Sequence, residues 1–201
     1  MDRPRLNPSE IGRALGTPAA ASSDYDLNPG VRRPDRPLRP ASVLIPLVER
    51  GPALNLVLTR RAARLTHHPG QIAFPGGKQD PSDASPLAAA LREASEEIGL
   101  DPASVEVLGA LDPHETVTFF TVAPFVGLVP ADFRPVSDPT EVAEVFEVPL
   151  EFVLDPANLQ VHRRRWQGQW RAYYAIPYGP HYIWGATARM LKALGDRTRA
   201  P

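Results

Sequence analysis

The chain has 201 residues, with 22 Lys+Arg against 23 Asp+Glu, 43% hydrophobic residues and no cysteine. That length suits one domain with a sizeable core, the net charge of −1 supplies no global field for nucleic acid or an anionic membrane, and the lack of cysteine excludes disulfides, thiolate catalysis and Cys-ligated metal. No apolar run approaches the ~18 residues that span a bilayer, and the start, MDRPRLNPSE, lacks the apolar stretch of a signal peptide, so a cytoplasmic location is expected.

Residues 1–40 are rich in proline, arginine and alanine and carry one helix signal. Asn7 can cap, Pro8 suits the first helical position, Glu10 completes a capping box, and Leu6 with Ile11 forms a staple. Ala19–Pro40 reads as an irregular connection, so an N-terminal extension is expected over 1–40, the working domain over 41–195 and a tail over 196–201. Ala41–Val48 and Leu54–Thr59 are apolar, β-rich runs separated by the Arg50-Gly51-Pro52 turn. A short strand, Ile72–Phe74, runs into Pro75-Gly76-Gly77. Ser85–Ile98 is the strongest helix signal: Ser85 caps, Pro86 opens and Gly99 ends it. Val105–Leu111, Phe119–Val129, Val142–Val148, Leu159–Val161 and Trp170–Ile176 are further strands, and a last helix covers Ala186–Leu194. No internal repeat is present. Strands in the majority with helices packed outside them predict an α+β fold.

The chemistry concentrates between Phe74 and Leu100. At about 100° per residue, Leu87, Leu91, Ala94 and Ile98 fall in a ~60° stripe, and Glu93, Glu96 and Glu97 in a ~100° arc across the wheel. Glu93 and Glu97 stand at i and i+4, where like charges disfavour a helix by a few tenths of a kcal/mol. A hard divalent cation with oxygen ligands would compensate, as when Mg²⁺ is held beside phosphates. The bland alternative is a solvated acidic face. Gly76-Gly77 after a strand shifts the balance, because glycine lets backbone approach a ligand closely. Arg92, just off the arc, can pair with a carboxylate and fix its rotamer.

These residues resemble the Nudix box, G-x5-E-x7-R-E-U-x-E-E-x-G-U with U aliphatic. Arg92-Glu93-Ala94-Ser95-Glu96-Glu97-Ile98-Gly99-Leu100 fills its second half. In the first half Gly77 lies 15 residues before Arg92 where the pattern has 14, so the first acidic position falls on Asp83 counted forward or Ala84 counted back. One extra residue is the form seen in the coenzyme A pyrophosphatase subgroup. That subgroup also carries an upstream motif, L-[LV]-T-x-R-[SA]-x3-R-x3-G-x3-F-P-G-G. Here it reads Val57-Leu58-Thr59-Arg60-Arg61-Ala62, then Gly70, then Phe74-Pro75-Gly76-Gly77, with Thr66 at the second arginine and Arg64 two residues earlier.

The resemblance implies a Nudix fold, an α/β/α sandwich around a mixed β-sheet. It implies metal-dependent hydrolysis of the coenzyme A diphosphate, with Mg²⁺ or Mn²⁺ on Glu93, Glu96 and Glu97. Arg92 braces the carboxylates, Glu144 is the first choice of proton acceptor, and Glu97 is the alternative. Thr59, Arg61, Arg64, Gly70, Phe74, Gly76 and Gly77 form the expected substrate surface. Two rivals stay open: a Nudix enzyme for another nucleoside diphosphate derivative (ADP-ribose, NADH or capped RNA), and a non-catalytic binding module. The partner expected is a small molecule, without nucleic acid or membrane. Arg163-Arg164-Arg165-Trp166 reads as a solvated strand end, His67, His68, His114, His162 and His181 as surface or turn residues, and Trp170, Tyr173, Tyr174 and Tyr178 as sheet packing.

Overall fold

Local signals set the helices. Asn7 caps α1 (Pro8–Leu15) by accepting from the Glu10 N–H, and Glu10 accepts in return from the Asn7 N–H, both at 3.0 Å. Ser85 caps α2 (Pro86–Ile98) by accepting from the Ala88 N–H, and Gly99 closes it at φ 68°, a left-handed conformation that glycine adopts without cost. The computed structural model describes residues 6–200 except Pro18, Arg32, Pro34, Thr66, His67, Gln167 and the side chain of Trp166. Thr66 and His67 of the sequence reading therefore lie outside the described residues.

Between the two helices run β1 (Ser22–Ser23), β2 (Arg39–Arg50), β3 (Ala53–Arg61), β4 (Ile72–Ala73) and β5 (Gly76–Lys78). After α2 come β6 (Glu106–Ala110), β7 (His114–Glu115), β8 (Phe120–Val129), β9 (Val142–Pro149), α3 (Leu150–Leu154), β10 (Gln160–Trp166), β11 (Gln169–Tyr178), β12 (His181–Trp184) and α4 (Ala186–Arg199). Among the described residues β1–β9 form one mixed sheet. At its centre β2 and β8 run parallel from Arg39↔Phe120 to Val48↔Val129. On its other side β2 pairs antiparallel first with β5 (Ala41–Val43) and then with β3, which carries β9 beyond it. Strands β10–β12 form a smaller antiparallel sheet.

Each face of the large sheet has its own core. On one side Ala90, Ala94 and Ile98 of α2 meet Leu44, Val48, Val57 and Val129. On the other, Leu56, Leu58, Phe74 and Val148 meet Ile11, Leu150, Ile176, Ile183 and Leu191, which come from α1, α3, the small sheet and α4. The result is the expected α/β/α sandwich.

The boundary expected at Ala41 is not where the core begins. Ile11 is fully buried and Leu15 nearly so, in the larger core, and β1 pairs parallel with β7. His114, expected at the surface, is wholly buried between Ser22 Oγ (2.8 Å) and Asp24 Oδ1 (3.1 Å). Asn28 continues the small sheet by donating to the Ala172 carbonyl and accepting from its N–H. Buried, hydrogen-bonded polar groups of this kind fix a segment as firmly as apolar contacts do. The strand expected over Leu159–Val161 extends to Trp166, because Arg163–Arg165 pair in register with Trp170–Ala172 in a hairpin.

Candidate active site

The apolar stripe of α2 commits its orientation, and the opposite flank then meets β5. Glu97 is 2% exposed. Its Oε2 accepts from the Gly76 N–H at 3.2 Å, and its Oε1 faces Arg61 Nη1 at 3.4 Å. Burial pushes the Glu97 carboxyl up to about 7, more than the Gly76 N–H and Arg61 bring it down, and the charges of Glu93 and Glu141 push it further. Glu93 is raised for the same reason, burial, with Arg92 opposing. Glu96 is the exposed member of the trio. A merely solvated acidic face would not bury one of its three carboxylates and half-bury a second.

Gly76 and Gly77 sit where a side chain would meet the protein itself. A Cβ on Gly77 would fall on the Glu93 carboxylate, and one on Gly76 would fall on the Ser42 carbonyl and Val43 of β2. The close approach these glycines permit is to the protein's own carboxylate and backbone.

Arg92 ties loop to helix. Its Nε and Nη2 grip Asp83 at 2.9 and 3.0 Å, its Nη1 reaches Glu93 (2.9 Å) and Glu96 (3.0 Å), and Nη2 also donates to the Lys78 carbonyl. Its guanidinium is held charged by Asp83 and Glu93, and the Asp83 carboxyl is drawn below the ordinary carboxylate range chiefly by Arg92. The ambiguity between Asp83 and Ala84 thus has a geometric answer: Asp83 braces Arg92, and Ala84 is an exposed loop residue.

The other expected site residues divide. Arg61 joins the carboxylates. Arg64 holds the loop before β9, donating to the carbonyls of Pro139 (2.6 Å) and Thr140 (3.3 Å). The same loop is bonded to β3 and α2 through Ala62 N–H to the Glu141 carbonyl and Asp138 N–H to the Glu97 carbonyl. Gly70, at φ 69°, closes the β3–β4 loop with its N–H on the Arg61 carbonyl. Thr59 is buried, its hydroxyl donating to the Ala73 carbonyl, and Phe74 is 3% exposed in the larger core. Neither is at a surface a substrate could touch.

Glu144 is not brought to the cluster. It pairs in register with Arg60, and residues of this parity, Leu58 and Phe146 among them, point away from α2 into the other core. There Glu144 is bonded to Arg60 Nε at 2.9 Å and, with Ile72, His181, Tyr182 and Trp184, lines a separate cavity of about 490 Å³. Glu141, passed over in the sequence, is the carboxylate whose charge reaches Glu93 and Glu97. No sequence signal separates the two, since both lie in Glu141-Val142-Ala143-Glu144 and only the start of β9 at Val142 decides.

Among the described residues no three acidic or histidine side chains converge as a ready-made metal cage. Glu93 and Glu97 are instead held by Arg92, Arg61 and the Gly76 N–H. Their chemistry nevertheless fits a hard divalent ion: all-oxygen donors, partly desolvated, with more negative charge nearby than Arg61 and Arg92 balance.

A NUDIX domain model matches residues 37–170. The chain belongs to the Nudix family. An uncharacterized Nudix hydrolase NudL of Cronobacter sakazakii is 43% identical over 171 residues, covering 84% of this chain and 87% of that protein. The namesake of Citrobacter koseri is 45% identical over 159 residues, covering 78% and 81%. Among solved structures, a Nudix hydrolase from Alicyclobacillus acidocaldarius superimposes with a TM-score of 0.50 at 19% identity, over 83% of this chain and 95% of its own, a likeness of fold. This Nudix hydrolase is thus of a family that uses divalent metal and acts on small nucleotide-containing molecules. None of its described helices is long and apolar enough to cross a membrane.

Proposed function

We propose that the enzyme hydrolyses the diphosphate of coenzyme A and its derivatives, giving 4′-phosphopantetheine and adenosine 3′,5′-bisphosphate. The observation that carries the reading is the meeting of two motifs at one carboxylate. Arg61, from the upstream Leu-Thr-x-Arg motif, and Gly76, from Phe-Pro-Gly-Gly, both address Glu97 of the Nudix helix. That convergence supports treating the long motif as one functional unit.

Glu93 and Glu97, with Glu96 at the rim, would hold the Mg²⁺ or Mn²⁺. When bound, such an ion neutralises diphosphate oxygens and lowers the pKa of an attacking water. Arg92, fixed by Asp83, keeps Glu93 turned toward Gly77 and limits the rotamers it must give up. Arg61 stands beside Glu97, offering donors to an anionic substrate. Proton transfer from the attacking water falls to Glu141, exposed and within electrostatic reach of Glu93 and Glu97, with Glu97 as the alternative.

Incubation of the enzyme with coenzyme A and Mg²⁺, followed by mass analysis of products, tests the reading. Equimolar 4′-phosphopantetheine and adenosine 3′,5′-bisphosphate are expected. A higher kcat/KM for ADP-ribose, NADH or a capped RNA end than for coenzyme A would overturn it.

A further inference from the structure

The ladder between β3 and β9 ends irregularly beside the candidate active site. Arg60 pairs with Glu144 but Arg61 pairs with Val142, so Ala143 is one residue extra on β9. A bulge of this kind disrupts the ladder locally and re-aims the residues beside it. Glu141, the residue before β9, is therefore placed by loop bonds rather than by a regular ladder.

Those bonds tie the turn over residues 138–141 to two elements of the site. The turn closes on the Asp138 carbonyl, which accepts from the N–H groups of Glu141 (3.1 Å) and Val142 (2.8 Å), while Asp138 Oδ1 accepts from the Thr140 N–H (2.7 Å). On the α2 side the Asp138 N–H donates to the Glu97 carbonyl (3.1 Å) and the Val136 N–H to that of Ile98 (3.0 Å). These are carbonyls of the last helical turn, which the helix itself leaves without partners. On the β3 side the Ala62 N–H donates to the Glu141 carbonyl (2.8 Å). Pro139 and Thr140, the exposed outer part of the turn, present their carbonyls to Arg64, which takes the first with Nη2 at 2.6 Å and the second with Nε at 3.3 Å.

The turn has a charge to resist. Glu141 lies within electrostatic reach of Glu93 and Glu97, and like charges repel, so a turn left loose would carry Glu141 outward. Arg64 suits the task of holding it. Its planar fork spans two successive carbonyls, which a compact ammonium does less well. A salt bridge to the Glu141 carboxylate would occupy the oxygens needed for a proton, whereas bonds to the carbonyls of Pro139 and Thr140 hold the chain instead.

We propose that Arg64 is a positioning residue for the hydrolysis: by clasping the turn over residues 138–141 it keeps the Glu141 carboxylate beside Glu93 and Glu97. The proposal rests on the reading of Glu141 as proton acceptor, and it takes Arg64 out of substrate recognition, where the upstream motif would put it.

The test compares four Mg²⁺-loaded proteins on coenzyme A: the wild type, Arg64→Gln, Glu141→Gln and the double variant. Arg64→Gln is expected to lower kcat on the order of 10-fold, the scale of a slightly misplaced catalytic group, with KM within about twofold. With Glu141 gone the clasp has nothing to position, so the double variant is expected within about twofold of Glu141→Gln. Arg64→Lys, which keeps the charge without the fork, is expected between Arg64→Gln and the wild type. A raised KM with unchanged kcat would make Arg64 a substrate contact and overturn the proposal. An equal loss of kcat with and without Glu141 would overturn it too, as the mark of a general structural defect. ADP-ribose replaces coenzyme A in the same comparison if it alone is cleaved, so a failed coenzyme A reading leaves the test standing. Amide hydrogen exchange, which needs no substrate, judges the clasp by itself. Arg64→Gln is expected to speed exchange at Glu141 and Val142 by about 10-fold or more while Ala90 and Ala94 of α2 keep their protection. Unchanged exchange at Glu141 and Val142 would overturn the clasp. Faster exchange there with wild-type kcat in Glu141→Gln would instead defeat the proton-acceptor reading, and the catalytic role of Arg64 with it.

Discussion

Arg60 and Arg61 are neighbours in sequence, and each meets a glutamate, yet the two pairs have different consequences. Arg60–Glu144 is the shorter, at 2.9 Å, with side chains 47% and 35% exposed. Arg61–Glu97 is longer, at 3.4 Å, with side chains 25% and 3% exposed. Distance alone would rank the first pair higher. Solvent reverses the ranking, because water screens an exposed pair and a buried carboxylate must find its compensation within the protein. Strand alternation therefore sends one arginine to a wet cavity and the next to the functional carboxylates.

The sharpest way to break this comparison is to neutralise each glutamate. Glu97→Gln and Glu93→Gln keep shape and helix propensity while removing an anionic ligand. Each is expected to lower kcat by roughly 10²-fold or more with folding intact, as removal of metal-held charge stabilisation costs several kcal/mol. Glu144→Gln should stay within about threefold. Steady-state rates on coenzyme A with saturating Mg²⁺ decide it, and wild-type-like activity in both helix variants would sink the metal-site reading.

Glu141→Gln comes next. Loss of a proton acceptor is expected to cost about 10²-fold in kcat with little change in KM. A variant that keeps wild-type kcat would transfer the proton to Glu97 instead.

The third consequence concerns stability. The Glu97 carboxyl titrates at about 7 folded against an ordinary 4.5. Below pH 4.5 it is protonated in both folded and unfolded chains, so its burial costs nothing. As pH rises toward 7 the unfolded chain releases the proton while the folded protein keeps it, and stability falls; above 7 the full cost, roughly 3 kcal/mol, is present. Metal-free enzyme should thus lose Tm between pH 4.5 and 7, Glu97→Gln should lack that component, and Mg²⁺ should restore Tm at pH 7.5 in the wild type. A Tm profile identical in the two proteins would show that Glu97 is not desolvated in solution.

The same contrast explains what could be read from the sequence. Ser85, Pro86 and Gly99 act on the backbone within a few residues, so α2 and the flank bearing Glu93 and Glu97 were legible. Gly76-Gly77 was visible as a special turn, but its purpose depends on Glu93 arriving from 16 residues away. Phe74 and Thr59 belong to a motif, yet their roles are set by strands that cover them. The choice between Glu141 and Glu144 turns on where β9 begins, and a strand boundary is the least local of these features. Between α1 and Ala41 the chain reads as irregular because polar side chains anchor it, His114 to Ser22 and Asn28 to Ala172, which leave no periodic trace.

The smallest expected effect tests the comparison from its weaker side. Arg60→Gln, Glu144→Gln and the double variant form a thermodynamic cycle whose coupling measures the ion pair itself. Half-exposed pairs of this kind contribute about 0–1 kcal/mol, since the Coulomb gain is screened and two long side chains lose freedom. Guanidinium or thermal unfolding of the four proteins should give a coupling in that range, shrinking further at high salt. His181 is a nearby group that could enlarge it: its Nε2 lies 3.9 Å from Glu144 and its ring stacks on Phe146 at 3.7 Å. A coupling above about 2 kcal/mol that survives high salt would mean that the cavity desolvates Glu144 as α2 and β5 desolvate Glu97, and the distinction between the two faces of β3 would then be one of degree.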